Sequence, residues 1–445
     1  MVSTPRPLPI PTEYGNAPRQ EPYCDQRYTT RYLEMFRDGE FSYCSPNSPS
    51  KITCFHTHPN FHDGNRDSFC IVQGSNFNTS TNKFQLGCAL QPDIEVPLST
   101  LYWYWYETGP RDLLDRYFSI VTRKGESTGW GLGTIAPSTG KRTFTILVKR
   151  EGSDNIFHCL HEIMSLTYTM DVLRMSRDPQ TGMPRFSPED VANTHIVILD
   201  DHDDGAYFDL WKLVSDRPIK RLAELVKDDP EWLMNPGNTV ILPLAGGANP
   251  VWHPNPHHHD CLNQLREVFV RRVLDFYQMP TERPWDPTQS ESAPLVLTFV
   301  NRTATRALEN AHGLLSALRA RYSQDGVQVQ SVDFAGLAFA EQIKVARGTD
   351  VLVGVHGAGL THALFMNSSR GAVVEMFPPG LEMDALRAIA LERGLGYYRT
   401  HNTTSLGHRP WQDESLHVEE KVFADLVDHA VKSLYNRVGS FKDAE

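Results

Sequence analysis

The sequence predicts an α/β protein with at least one doubly wound parallel sheet, and two observations carry that reading. Between Leu295 and Thr400, short β-branched apolar runs alternate with stretches that keep apolar residues on one helical face. Within them, Val351-Leu352-Val353-Gly354-Val355 has the composition of a buried parallel strand, and His356-Gly357-Ala358-Gly359-Leu360-Thr361-His362 follows it. Strand, glycine turn and helix start is the arrangement that offers backbone N–H groups and a positive dipole end to a phosphate. A tight packing turn is the plainer reading of the glycines, but such a turn has no need of two flanking imidazoles, His356 and His362.

At 445 residues the chain is long enough for two domains, and 40% hydrophobic residues suit a globular protein. The net charge of −11 argues against nucleic acid or an anionic membrane surface as the main partner. No run reaches about eighteen apolar residues, so no segment reads as transmembrane.

Residues 1–20, rich in proline, read as disordered or loosely attached. Up to about residue 95 the chain is rich in Cys, Asn and Phe, with short strands expected at Lys51–Phe55 and Ser68–Val72. The Trp and Tyr run Leu101–Glu107 is expected to be a buried aromatic segment. Strand Thr143–Lys149, helix Asn155–Leu173 and strands His195–Leu199 and Thr239–Leu242 give an N-terminal α/β domain over 21–280. A helix at Cys261–Tyr277 and a Pro- and Ser-rich loop, Met279–Pro294, mark its end.

The second domain, 295–415, reads as strand Leu295–Val300, helix Thr305–Tyr322, strand Val327–Val332, helix Ala338–Ala346 and strand Val351–Val355. A short helix capped by Thr361, a strand over Gly371–Phe377, helix Met383–Arg393 and strand Tyr397–Thr400 complete it. In the closing segment, 416–445, helix Leu416–Tyr435 is expected to pack back on the first domain. Cys24, Cys44, Cys54, Cys70 and Cys88 crowd the first ninety residues without a CxxC pair, which argues against zinc and for one or two disulfides, with simply buried thiols as the alternative.

Arg302 and Arg306 lie just past the end of strand Leu295–Val300, where doubly wound sheets bind ligands, and guanidinium groups grip diphosphate oxygens in pairs. The plainer reading pairs them with Glu309 or Asp333. Asn155, His158 and Glu162 fall on one helical face beside the end of strand Thr143–Lys149, with His161 adjacent, a set suited to general-base work or simply a solvated polar face. Asp200-Asp201-His202-Asp203-Asp204 has the look of an Asp-x-Asp metal clamp, although an acidic solvated loop is commoner. His257-His258-His259 on a loop is a weak metal candidate. Sequons occur at Asn78, Asn301, Asn367 and Asn402; the one at Asn301 lies inside the arginine motif, which argues against a glycan there.

Three of these segments together resemble glycosyltransferase family 61. Gly354–His362 looks like its signature, and Asn155-Ile156-Phe157-His158 with Glu162 is similar to its Asn-x-aromatic-His-x-x-x-acid motif. Arg302-Thr303 with Arg306 and Asn310 resembles its strand-end arginine motif. The likeness runs from about residue 143 to 400. Asp209-x-Trp211-Lys212 and the stretch Phe36–Cys70 look most like members that add O-GlcNAc to EGF-like protein domains.

The resemblance implies a GT-B-like architecture, two Rossmann-like domains facing across a cleft, here with a Cys-containing N-terminal extension, and an inverting mechanism. It implies a UDP-sugar donor, UDP-GlcNAc before a UDP-pentose, with no required cofactor and no obligatory divalent metal. Arg302, Arg306 and the Gly357-Ala358-Gly359-Leu360 turn would hold the diphosphate, His356 or His362 a phosphate or the sugar, Glu375 the ribose, and Asp333-Phe334 the uracil. Glu162, with His158 second, would take the acceptor proton; Asn155, His161 and Asp201 would line the acceptor side. The acceptor would be a protein or glycan, an EGF-like domain in the first reading, within the lumen of the endoplasmic reticulum or Golgi. As written, the chain shows no signal peptide and ends Lys442-Asp443-Ala444-Glu445 without a retention signal. The alternatives are a pentosyl- (xylosyl-) or other hexosyltransferase of the same family acting on a glycan, and a catalytically silent nucleotide- or glycan-binding protein.

Overall fold

The computed structural model describes residues 7–16, 18–57, 66–92, 94–121, 142–252, 261–281, 294–302, 305–324, 326–368, 371–401, 403–406, 410 and 412–435. The triple histidine, Thr303 and the C-terminal tetrapeptide lie outside the described residues. The chain divides into two compact units: Met1–Trp252 with Asn263–Phe269, and His253–Leu262 with Val270–Glu445.

The first unit is built on a seven-stranded sheet. Its order is Glu40–Ser42, Lys51–His56, Ser68–Gln73, Asn238–Leu242, Thr143–Val148, Thr194–Ile198 and Lys220–Arg221. The first four strands pair antiparallel; from Asn238–Leu242 onward the pairing is parallel. The cysteine-bearing segment is therefore no appended extension: its strands widen the same sheet. Cys54 and Cys70 face each other in register and are bonded, and Cys44 is bonded to Cys88. Each bridge closes off unfolded conformations, worth about 3 kcal/mol in the chain-entropy model. Thr12–Tyr14 form a single 3-10 turn, and the buried Tyr14 hydroxyl donates to Asp171 at 2.6 Å.

Helix Ile156–Met175 is buried on almost every side: its apolar residues lie all round the axis, and polar ones such as Ser165, Thr167, Thr169 and Asp171 are buried among them. Asn155 starts it, its side chain accepting from the Phe157 N–H at 3.0 Å. The run Leu101–Glu107 does not form the expected buried segment. Leu101 and Tyr104 are buried, whereas Tyr102, Trp103, Trp105 and Tyr106 are exposed.

In the second unit five strands are all parallel, in the order Val327–Val332, Leu295–Val300, Val351–Val355, Ala372–Met376 and Gly396–Thr400. Counted along the chain this is 2-1-3-4-5, a doubly wound order whose direction of winding reverses between the first and third strands. Ligands bind beyond the carboxyl ends of strands at such a reversal. The core joins Leu297, Phe299, Val353 and Val374 to Phe423 and Val427 of the closing helix, Glu420–Tyr435. That helix thus belongs to this unit's core, where the sequence suggested a return to the first domain; each large apolar side chain buried here contributes roughly 1.5–3 kcal/mol.

Two helix starts differ from expectation. The helix expected from Thr305 begins at Ala311, because Arg306 adopts a left-handed φ of 51° and the segment before Ala311 pairs instead with Leu416. The short helix spans Ala358–Phe365 with Gly357 before it, so Thr361 is buried inside it and not at its cap.

Candidate active site

The reversal of winding brings two chain segments together. After Val300 the chain runs into Asn301 and Arg302; after Val355 it runs into His356 and Gly357. Gly357 has φ 153°, which L side chains rarely adopt, and it leaves room that both arginines use. A Cβ there would lie 2.4 Å from Arg302 Nη1 and 3.0 Å from Arg306 Nη1. The two guanidinium groups thus meet over one glycine. Arg306 Nη1 donates to the His356 carbonyl at 3.1 Å, and Arg302 donates to the Thr305 carbonyl and hydroxyl at 3.0 and 3.1 Å.

Burial, and then the neighbouring Arg302, push the Arg306 guanidinium down to about 10, so it stays charged at neutral pH. Burial lowers Arg302 as well, opposed by Asp333. Two half-buried cations side by side repel, and an anion between them reverses the sign of that interaction. The first turn of helix Ala358–Phe365, where amides have no intrahelical acceptor, starts at the same glycine. Gly359 keeps the turn close to the sheet, since a Cβ there would lie 2.8 Å from Val300 Cγ1. Such an arrangement could hold a doubly charged phosphate-type group.

Other candidates from the sequence lie behind this cradle. His356 Nδ1 is 2.6 Å from Glu375 Oε1, and the Tyr397 hydroxyl donates to Glu375 Oε2 at 2.5 Å. Glu375 is fully buried, with one oxygen turned to each of these neighbours. The His362 ring nitrogens each lie 2.8 Å from an internal oxygen, Gly359 O and Gln342 Oε1, and its ring stacks on Phe334 at 3.9 Å. Asp333 accepts from the Ala335 N–H at 3.0 Å and starts the turn that carries Phe334. Glu375 and His362 thus both lie buried, each bonded to neighbouring residues.

The first unit holds a second cluster, at the carboxyl end of strand Thr143–Val148. His158 Nδ1 lies 2.7 Å from Glu151 Oε2, and Glu162 Oε1 accepts from the Glu151 N–H at 2.7 Å. His158 and Glu162 thus grip one residue, Glu151, which the sequence reading passed over. Its signal was available: an acidic residue just past a strand end, facing a helix with His and Glu on one side. Glu162 is buried and its Oε2 has no hydrogen-bond partner. Burial and then the Glu151 carboxylate hold its acid well above the usual carboxylate range. Gly246 closes over the pair; a Cβ there would lie 2.7 Å from Glu162 Cγ.

His158 remains partly open, its side chain 27% accessible, with the Trp252 ring 4.7 Å and the Tyr106 ring 6.2 Å away. His161 is fully buried, its Nδ1 2.6 Å from the Phe157 carbonyl. The acidic loop folds around a cation of the protein itself: Arg150 pairs with Asp200 at 2.7 Å and donates to the His202 and Asp203 carbonyls. Burial raises Asp200, but the hydrogen bonds from Arg150 prevail and its carboxyl sits below the usual range. Asp201 is exposed at the edge of this loop.

Residues 157–373 match the family Glycosyltransferase 61. That segment is similar to the glycosyltransferase 61 family. Its span contains His158, Glu162, both arginines and the Gly357 turn; Glu151 and Asn155 lie just before it and Glu375 just after. The chain is 27% identical over 292 residues to EGF domain-specific O-linked N-acetylglucosamine transferase of Drosophila melanogaster, covering 65% of this chain and 50% of that protein. It is 33% identical over 299 residues to the Bos taurus protein of that name, covering 63% and 52%. It is 26% identical over 289 residues to protein O-linked-mannose beta-1,4-N-acetylglucosaminyltransferase 2 of Canis lupus familiaris, covering 61% and 45%. The chain thus spans about half the length of the curated relatives it matches.

Proposed function

We propose that this chain is an inverting, UDP-sugar-dependent glycosyltransferase of GT-B-like architecture, carrying N-acetylglucosamine from UDP-GlcNAc to a Ser or Thr hydroxyl of an EGF-like domain in the secretory pathway. The observation that carries it is the meeting of Arg302, Arg306 and Gly357 at the winding reversal of a parallel sheet. The relatives' names support the donor sugar and the acceptor, and the disulfides suit an oxidising compartment.

The chemistry follows from charge. As the bond between sugar C1 and the diphosphate oxygen breaks, negative charge grows on UDP, and the two guanidiniums with the amides at the start of the turn would stabilise it. The acceptor oxygen forms the new bond to C1 from the opposite side and gives its proton to a base, which inverts the configuration. In this reading no divalent metal is obligatory. The cluster around Glu151 supplies the base. A carboxylate on Nδ1 of His158 holds the tautomer that leaves Nε2 able to accept a proton, the logic of a carboxylate–imidazole pair. Glu162, buried and with its acid held well above the usual carboxylate range, accepts from the Glu151 N–H and holds Glu151 in place. The order of the two candidates given by the sequence is thereby reversed.

The test is a comparison of three variants in a transfer assay with UDP-GlcNAc and a disulfide-bonded EGF-like domain. His158→Ala is expected to lower kcat by about 100-fold or more with UDP affinity unchanged. Glu151→Gln is expected to lower it less and to move the pH profile, and Glu162→Gln least of the three. A folded Glu162→Gln variant as dead as His158→Ala returns the base role to Glu162. A second reading, transfer to a glycan, is favoured by the name of the O-linked-mannose relative; a free oligosaccharide acceptor in the same assay separates the two.

A further inference from the structure

We infer that the aromatic edge formed by Tyr102, Trp103, Trp105 and Tyr106 is the surface on which a folded protein acceptor docks beside His158. The inference rests on the reading of the Glu151–His158 pair given above. Four large aromatic side chains in five consecutive residues stand 36, 45, 76 and 52% exposed. Leaving that much apolar surface in water is unfavourable and marks an interaction site.

The edge is held in shape and is no loose loop. Tyr104 between them is buried, and its hydroxyl donates to Asp67 at 2.7 Å. Gly109 lies so close to the Tyr104 ring that a Cβ there would sit 2.5 Å from Cδ2. Tyr106 and Glu107 both have left-handed backbone, φ 65° and 55°, a conformation that disfavours side chains with a Cβ. Lys149 fastens this strained turn, its Nζ donating to the Tyr106 carbonyl and pairing with Glu107, each at 2.8 Å. The strained turn and the exposed rings are side by side, and the Tyr106 ring meets the His158 ring edge to face.

The extent of the edge selects the occupant. Large aromatics bring roughly 150–250 Å² each, so at these exposures the four leave about 300–500 Å² open, around half of the ~800 Å² that one partner of a specific protein pair contributes. A single pyranose ring would cover one or two of them. Trp and Tyr are also the residue types on which protein recognition concentrates its energy, combining large area with few rotatable bonds. The hydroxyl to be modified would therefore arrive on a protein surface pressed against these rings, with Tyr106 directing it to His158.

The test uses the full chain with Trp105→Ala and, separately, Trp103→Ala, both at exposed side chains outside the proposed chemistry. The readouts are UDP affinity, hydrolysis of UDP-GlcNAc without acceptor, and the Michaelis constant for a disulfide-bonded EGF-like domain. The expected result is that this constant rises about 10-fold or more, with UDP affinity, hydrolysis and Tm unchanged. A Michaelis constant within about twofold that for wild type, with transfer intact, overturns the docking surface and leaves the glycosyltransferase reading standing. Wild-type transfer to a free oligosaccharide but to no protein domain overturns the protein occupant. A wild type that does not bind UDP overturns the underlying reading, and the docking surface with it.

Discussion

At the scale of single residues, Gly357 decides more than any other. Its φ of 153° ends the strand, and its missing side chain is the space in which two guanidiniums meet. Gly357→Ala is expected to weaken UDP binding by about 10-fold or more, since the new methyl must displace one arginine and the backbone is strained whatever the space. Calorimetry with UDP reads this directly; an affinity equal to wild type would mean that the guanidiniums do not act there. That Arg302, Arg306 and Gly357 would come together was legible, because both segments follow strand ends of one parallel sheet. The true surroundings of Glu375 and His362 were not, since a strand-end carboxylate looks the same whether it faces a ligand or a buried Tyr397 and His356. Glu151 escaped notice because its importance comes from two residues of a helix folding back onto it.

Among the elements, helix Ile156–Met175 does two jobs: it fills the first unit's interior and carries His158. Its burial has a pH consequence. His161 is pushed down to about 3, by burial first and then by Arg266, against about 6.5 in the unfolded chain. The unfolded state therefore binds the extra proton between these values. The stability this group contributes is present in full above pH 6.5 and is lost as pH falls towards 3, roughly 5 kcal/mol over the whole window. Unfolding midpoints recorded from pH 7 down to 4 should drop steeply for wild type and less steeply for His161→Phe. Identical slopes would show that His161 does not titrate on unfolding. Strand and helix existence followed the hydrophobic period closely, while helix starts did not. Thr305–Asn310 lacks any local signal that Arg306 turns left-handed, and Leu101–Glu107 reads as core by composition alone although its backbone turns the rings outward.

Across the whole molecule, what the sequence could not show was strand order. Alternation of strand and helix is local, whereas the 2-1-3-4-5 arrangement depends on pairings between distant segments, and it is this order that brings residues 302, 306 and 357 to one place. The same holds for the mixed sheet of the first unit, where antiparallel strands near the cysteines join parallel ones from residues 143–242. The most direct measurement is calorimetric titration of UDP into wild type, Arg306→Ala and the double variant Arg302→Ala/Arg306→Ala. The account predicts saturable binding to wild type, a loss of roughly 10- to 100-fold in the single variant, from about 1.5–3 kcal/mol per charge-assisted bond, and no measurable binding in the double variant. Wild type that ignores UDP, or a folded double variant that binds it as tightly, would contradict it.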